Sequence, residues 1–218
     1  MTGHWAAKSA AWVLVTALVA LSGGCALVAI VGRAIPKSVD SEYKGLAKQK
    51  VAVMVWADRG TRVDWPTIQI DAANTMQAYL IAKKDEDDLK EIQFPWEPRS
   101  ILRFQKEHPE LEGRPATEYA QRISGITRLI TVEVGDFTTR SETAVQLLKG
   151  SMVGNVKVIA IEDGKATIVY ERSGVRATFP PKAPEGVVDM AESRVYAGTV
   201  NAFGLAVAEL FYGHIVED

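Results

Sequence analysis

The stretch KVAVMVWAD at residues 50–58 decides the fold, because it is an apolar, β-branched run bounded by charged residues. Continuous apolar runs of this length are typical of a strand that is buried on both faces. The next segment, TIQIDAANTMQAYLIAKK at residues 67–84, repeats its apolar residues at helical spacing and ends in two lysines that suit a helix C-terminus. A buried strand followed by such a helix predicts a sheet with helices packed on it.

The rest of the chain extends this pattern with further helices and strands. Prolines at the start of two segments mark helix beginnings, and an Asp-Gly pair between two alternating apolar runs predicts a tight hairpin. The predicted elements are a short strand at 92–94, helices at 98–108 and 115–125, a strand at 127–137, a hairpin at 156–171 and a closing helix at 195–215. This order predicts an α/β (or α+β) sandwich with a mixed β-sheet.

The first 33 residues contain an uncharged run from Ser9 to Gly32 that carries the only cysteine, Cys25. The small residues Ser22, Gly23 and Gly24 precede this cysteine. Small residues before a lone cysteine in an apolar run are typical of a bacterial lipoprotein signal, which is cut before the cysteine. We therefore predict a signal peptide at 1–24, lipidation of Cys25, a tether at 25–49 and a single α/β domain at 50–218.

Two alternatives to lipidation stay open. The uncharged run is long enough to cross a hydrocarbon core of about 30 Å, so residues 1–32 also fit an uncleaved membrane anchor. Ordinary cleavage with release of the domain is the third interpretation, and Ser22 stands where a lipobox usually has leucine. Ala26 lacks the aspartate that often retains lipoproteins at the inner membrane, which favours an outer-membrane position facing the periplasm.

The composition argues against several functional classes. Acidic and basic residues are well mixed and the formal charge is −2, which is unlike the clustered basic face that nucleic acids require. His4, His108 and His214 are far apart in sequence, so neither a metal site nor a cofactor is predicted. The chain also lacks a nucleophile elbow and a phosphate-cradling loop, and the sequence predicts no enzyme.

Three carboxylates near the first strand are the best candidates for a polar site. Ligands of open α/β sheets bind just past the carboxyl ends of strands, where Asp58 with Gly60 follows the strand and Asp64 and Asp71 come next. The alternative is structural, because Asp64 and Asp71 suit the beginning of a helix and Asp58 suits a turn.

A second candidate is an interaction surface in the segment WEPRSILRFQKEH. Aromatic and arginine side chains dominate interaction hot spots, so Trp96, Arg99, Arg103, Phe104 and His108 are the predicted partner surface. The alternative is that the apolar members pack inward and the charges form a solvated helix face.

These elements resemble those of bacterial envelope lipoproteins with a TolB-N-terminal-like α/β domain, a group that includes LpoB and the periplasmic domain of CsgG. The resemblance rests on KVAVMVWAD, AANTMQAYL, PRSILRFQKE, EYAQRISGITRLITVEVGDF, VKVIAIEDGKATIVYE and AFGLAVAELF. The same segments are similar to envelope proteins of planctomycete type. The resemblance implies the fold and a tendency to bind other envelope proteins, and it transfers no functional residue.

We therefore expect a membrane-tethered, non-catalytic domain that binds an envelope protein partner. An accessory lipoprotein of a transport system, which holds a lipid or another apolar ligand, is the alternative. A carboxylate-based enzyme around Asp58 is the third hypothesis.

Overall fold

The computed structural model describes residues 37–141, 144, 146–183 and 185–216, so the predicted signal peptide and Cys25 lie outside the described residues. The chain divides into a large unit of residues 40–214 and a small unit of the two terminal segments. Strands β1 (Lys37–Val39) and β6 (His214–Val216) form a two-stranded sheet of their own. None of the described helices is long and apolar enough to span a membrane.

The large unit is built on a four-stranded mixed sheet, as the sequence predicts. Its order is β2 (Val51–Ala57), β3 (Arg128–Arg140), β4 (Leu148–Glu162) and β5 (Lys165–Phe179). Strands β2 and β3 run parallel, whereas β3, β4 and β5 form an antiparallel meander. The hairpin between β4 and β5 turns at Asp163 and Gly164, both with positive φ, as its sequence predicts.

Helices cover the sheet on both faces. Each β2 residue points into one of two cores, which explains its continuous apolar run. The helices are α1 (Arg59–Asp64), α2 (Ile68–Ala82), α3 (Pro98–Glu107), α4 (Ala116–Ala120) and α5 (Glu192–Ala208), with 3₁₀ turns at Asp87–Leu89, Pro109–Leu111 and Glu209–Phe211. One core joins β2 and β3 to α2 and α5, with Phe203 fully buried, and the other joins them to α3 and α4.

The folded unit begins earlier than the sequence predicts. Leu46 is fully buried in the core that α2 and α5 cover, and Ser41 donates to the carboxylate of Asp88 at 2.5 Å. The backbone N–H of Tyr43 donates to the carbonyl of Leu210 at 3.0 Å. Residues 40–49 therefore belong to the domain rather than to a tether, because a single buried leucine and these hydrogen bonds fix an otherwise polar segment.

Two local predictions also need correction. The predicted strand at 92–94 is a single bridge, in which Gln93 pairs with Lys50. Asp64 is the last residue of α1 and does not begin the long helix, since α2 starts at Ile68 after Thr67.

Candidate functional site

A cavity of about 370 Å³ opens at the carboxyl end of the parallel pair β2 and β3. In the register of this pair Trp56 lies beside Glu133 and Ala57 lies beside Val134. The lining consists of these four residues with Asp58, Glu112, Gly113, Arg114 and Tyr119. The position agrees with the rule that ligands of α/β sheets bind past the carboxyl ends of parallel strands.

Asp58 lines the cavity, but its carboxylate caps the helix α1. It is the N-cap of α1, where it accepts a hydrogen bond from the backbone N–H of Thr61 at 3.1 Å and another from the Thr61 hydroxyl. The hydroxyl bond and then the backbone bond lower the pKa of Asp58, which keeps it ionised at neutral pH. This environment is opposite to that of a carboxyl that acts as a general acid near pH 7.

The other two predicted carboxylates do not join Asp58. Asp71 accepts a hydrogen bond from the hydroxyl of Tyr196 at 2.7 Å, which ties α2 to α5. Asp64 is exposed at the end of α1. Asp64 and Asp71 therefore do not line the cavity with Asp58, and the structural alternative holds for Asp58 at the N-cap of α1 and for Asp71 in the first turn of α2.

Tyr119 of α4 forms part of the cavity wall and is only 2% exposed. Its ring centroid lies 6.1 Å from that of Trp56. Burial, and to a lesser degree the nearby charge of Glu133, raises the pKa of Tyr119 to about 12, while hydrogen bonds with Trp56 and Thr131 oppose the shift. The phenol is therefore a neutral hydroxyl across the physiological pH range.

The Tyr119 hydroxyl lies near two other buried polar groups, the indole Nε1 of Trp56 and the hydroxyl of Thr131. Hydrogen bonds of the phenol with both groups lower its pKa, against the larger effect of burial. Trp56 Nε1 and the Thr131 hydroxyl have no other partner among the described residues. Because buried polar groups are almost always paired in folded proteins, these three groups pair with one another.

The charges at the cavity are only partly balanced. Glu112 forms an ion pair with Arg62. Glu133 and Arg114 are exposed and have no ion pair with any described residue. The cavity lining therefore includes a carboxylate, that of Glu133, and a guanidinium, that of Arg114, which no ion pair with a described residue neutralises.

Sequence reasoning missed most of this site. It placed Asp58 correctly past the first strand, but Tyr119 appeared only as a residue of a short helix. The available signal was in β3, where Thr131 and Glu133 interrupt an apolar strand on one face. Both polar residues alternate with Val132, which belongs to the opposite core.

Some residues of the predicted partner surface pack inward, and others are exposed to solvent. Phe104 is buried against the α3–α4 core, and Trp96 donates its Nε1 hydrogen to the carbonyl of Ser124 at 2.9 Å. His108 packs 4.6 Å from the Phe104 ring centroid and lies 3.2 Å from Glu110. Arg99 and Arg103 are the exposed members. Whether this surface binds a partner stays a prediction.

A second concavity of about 490 Å³ lies on the surface of α2 and α5. It is lined by Asn74, Thr75, Ala78, Tyr79, Ala82 and Asn201. Whether it holds the apolar ligand of the alternative hypothesis stays a prediction. Elsewhere, no group of three or more His, Cys, Asp or Glu residues within the described ranges is arranged to hold a metal ion.

No family model and no curated protein matches this sequence. Solved structures that are similar to this chain include a PelC dodecamer from Paraburkholderia phytofirmans, with 14% identity over 82% of this chain and 99% of that chain and a TM-score of 0.41. The hypothetical protein CT253 from Chlamydia trachomatis has 14% identity over 75% and 91%, with a TM-score of 0.44.

Lipoproteins are among the similar structures. The lipoprotein GNA1162 from Neisseria meningitidis has 10% identity over 59% of this chain and 81% of that chain, with a TM-score of 0.34. At these scores the similarity assigns neither a function nor a partner. The resemblance to LpoB and CsgG stays a prediction from sequence.

Proposed function

We propose that this chain is a membrane-tethered, non-catalytic lipoprotein of the bacterial envelope, and that its domain binds another envelope protein through α3. The tether is argued from the uncharged run from Ser9 to Gly32, which carries Cys25 after the small residues Ser22, Gly23 and Gly24. The binding surface is argued from the outward face of α3.

The supporting observation is a pair of exposed arginines on one helix. Arg99 and Arg103 are four residues apart, so both point from the same face of α3. Neither has an ion pair with a described residue. Exposed arginines that no ion pair neutralises are well suited to bind carboxylates of a partner, and arginine is enriched among interaction hot spots.

The helix that carries these arginines is held firmly on the sheet. Ile101 and Phe104 are buried in the α3–α4 core, and Gln105 donates to the carbonyl of Val55 at 2.9 Å. Because the helix is already ordered, only the arginine side chains lose conformational entropy when the surface binds, which supports recognition of a protein that presents an acidic patch.

Charge reversal on α3 tests the proposal. The double variant Arg99→Glu/Arg103→Glu and the parent protein are crosslinked in intact cells, and the products recovered from membranes are identified by mass spectrometry. We expect a specific envelope protein with the parent and its loss with the double variant. The control is Lys165→Glu/Arg176→Glu, which reverses two exposed charges on β5.

The proposal is wrong if the α3 double variant captures the same protein at the same yield as the parent. It is also wrong if the parent yields only its own monomer under several crosslinking conditions. Circular dichroism of each variant shows whether a loss reflects the surface or the fold.

A further inference from the structure

We propose that α1 is a strap over the cavity at the carboxyl end of β2 and β3, and that the ion pair between Arg62 and Glu112 is the latch that holds this strap closed. The strap opens by itself while the rest of the domain stays folded. It involves neither Arg99 nor Arg103, so it is independent of the proposed protein-binding function.

The helix α1 adds nothing to the core of the domain. None of its residues is buried, and its most apolar side chain, that of Val63, is largely exposed. An isolated helix of six residues is unstable in water, because its first turn is costly to form and few hydrogen bonds follow. Burial of an apolar face stabilises most protein helices, and α1 lacks it. Local opening of α1 therefore costs little free energy.

Both ends of this segment are fixed. Ala57, the last residue of β2, is buried. The ring of Trp65 stacks on that of Tyr196 at 5.1 Å and meets that of Phe137 edge-on at 5.3 Å, measured between ring centroids. Residues 58–64 thus lie between two anchored ends, and they can lift from the cavity without disturbing the sheet.

The segment that pairs with α1 is arranged in the same way. Glu112, Gly113 and Arg114 are exposed, and all three line the cavity. They lie between Leu111 and Ala116, which are both buried. The cavity is therefore bordered by two exposed segments, and packed residues hold each of them at its ends.

One ion pair joins the two segments in the described part of the chain. The guanidinium of Arg62 contacts the carboxylate of Glu112, and the two side chains are 30% and 47% exposed. Glu112 lines the cavity, as does Asp58 at the N-cap of α1. A partly exposed ion pair is weak and is screened by salt. This latch can therefore release without unfolding of the domain.

Opening of the strap changes access to the inner lining of the cavity. Trp56, Tyr119 and Val134 belong to this lining, and Val134 is buried while the strap is closed. When residues 58–64 lift, Asp58 leaves the lining and the latch is broken. Solvent and small reagents then reach Val134 more readily than in the closed state.

Hydrogen exchange of the full-length protein in detergent, followed by mass spectrometry, tests the strap. The amides of Arg62 and Trp65 report its closed state, because they donate to the carbonyls of Asp58 and Thr61 at 3.0 and 2.8 Å. We expect these amides to exchange much faster than those of β2 and at a rate that low concentrations of urea do not change.

Two changes to the latch should speed this exchange. Glu112→Gln should raise the exchange rate of α1 by about two- to fivefold, the factor that an exposed ion pair contributes. Added salt should speed exchange of α1 in the parent protein and leave Glu112→Gln unchanged, because the variant has no pair to screen.

Two further variants serve as controls for the latch. Glu110→Gln breaks another exposed ion pair, that with Arg122 at 3.0 Å, and leaves the latch intact, so exchange of α1 should stay at the parent rate. The reversed pair Arg62→Glu/Glu112→Arg should restore the parent rate, since its charges attract each other again.

Thiol labelling tests whether the strap covers the cavity. The thiol of Val134→Cys lies in the cavity lining, whereas that of Val158→Cys lies in the α2–α5 core. Combined with Glu112→Gln, labelling of Val134→Cys should be about two- to fivefold faster, in step with the exchange of α1. Labelling of Val158→Cys should not change.

The proposal is overturned if α1 exchanges at the rate of β2, because α1 would then open only together with the domain. It is also overturned if Glu112→Gln leaves the exchange of α1 at the parent rate. Unchanged labelling of Val134→Cys in the Glu112→Gln background would show that α1 does not cover the cavity.

Discussion

The side-chain amides of Gln69 and Gln105 donate to the same atom, the carbonyl oxygen of Val55, at 2.7 and 2.9 Å. Gln69 belongs to α2 and Gln105 to α3, which cover opposite faces of the sheet. Val55 lies in β2, the first strand in the sheet order. The two helices therefore cover the Val55 carbonyl at the edge of the sheet. Without them this carbonyl could accept a hydrogen bond from a strand of another chain.

This shared acceptor predicts non-additive stability. Gln69→Leu and Gln105→Leu should each lower the free energy of unfolding by about 1 kcal/mol, since the other glutamine still satisfies the carbonyl. The double variant should lose more than the sum, because the carbonyl of Val55 then has no side-chain partner. Urea unfolding of the four proteins measures the coupling. Additive losses would show that the two hydrogen bonds act independently.

The contact between α5 and β4 depends on the absence of a side chain at Gly150. A Cβ there would overlap the hydroxyl of Thr199 and lie 2.8 Å from the Thr199 Cβ. We expect Gly150→Ala to destabilise the domain by about 1–3 kcal/mol through overpacking. Gly135→Ala is the matched control, because its Cβ would come no closer than 3.9 Å to another atom. Equal effects of the two substitutions in thermal unfolding would contradict this packing.

Burial of Tyr119 predicts a loss of stability in alkali. The folded-state pKa of about 12 exceeds the ordinary value of 10.0, so the neutral phenol contributes stability up to pH 10 that is lost between pH 10 and 12. Tyr119→Phe should flatten this part of the profile when the free energy of unfolding is measured from pH 8 to 11.5. An unchanged slope would show that Tyr119 titrates normally. Tyr212, whose pKa burial also raises to about 12, is expected to account for part of the remaining slope.

The early start of the domain predicts that Leu46 is a core residue. Leu46→Ala should lower the free energy of unfolding by about 2–5 kcal/mol, the usual cost of such a deletion in a core. Val63→Ala, at a position that is 69% exposed, should change it by less than about 0.5 kcal/mol. A small change in the free energy of unfolding for Leu46→Ala would indicate that residues 40–49 belong to the tether and not to the folded domain.

The sequence predicts well those elements whose pattern is local. The run at 50–58 predicts β2, proline and the spacing of Ile101 and Phe104 predict α3, and Asp163-Gly164 predicts the hairpin. Each depends on the chemistry of neighbouring residues, namely helical or alternating spacing and turn residues. Such patterns need no knowledge of the other elements.

The features that the sequence does not predict depend on contacts between distant elements. The burial of Leu46 requires the α2–α5 core, and the surroundings of the Tyr119 hydroxyl depend on where α4 meets Trp56 and Thr131. The extension of β3 to Arg140 likewise follows from pairing with β4 and not from its own alternation. The candidate site was therefore predicted only at Asp58.

The central claim is that this chain is a lipoprotein tethered at Cys25, and the mass of its N-terminal peptide tests that claim most directly. The full-length protein is expressed in bacteria, extracted from membranes and digested, and the N-terminal peptide is analysed by mass spectrometry. We predict a diacylated or triacylated peptide that begins at Cys25. An unmodified peptide that begins at Met1 or Thr2 would contradict the account and establish an uncleaved anchor.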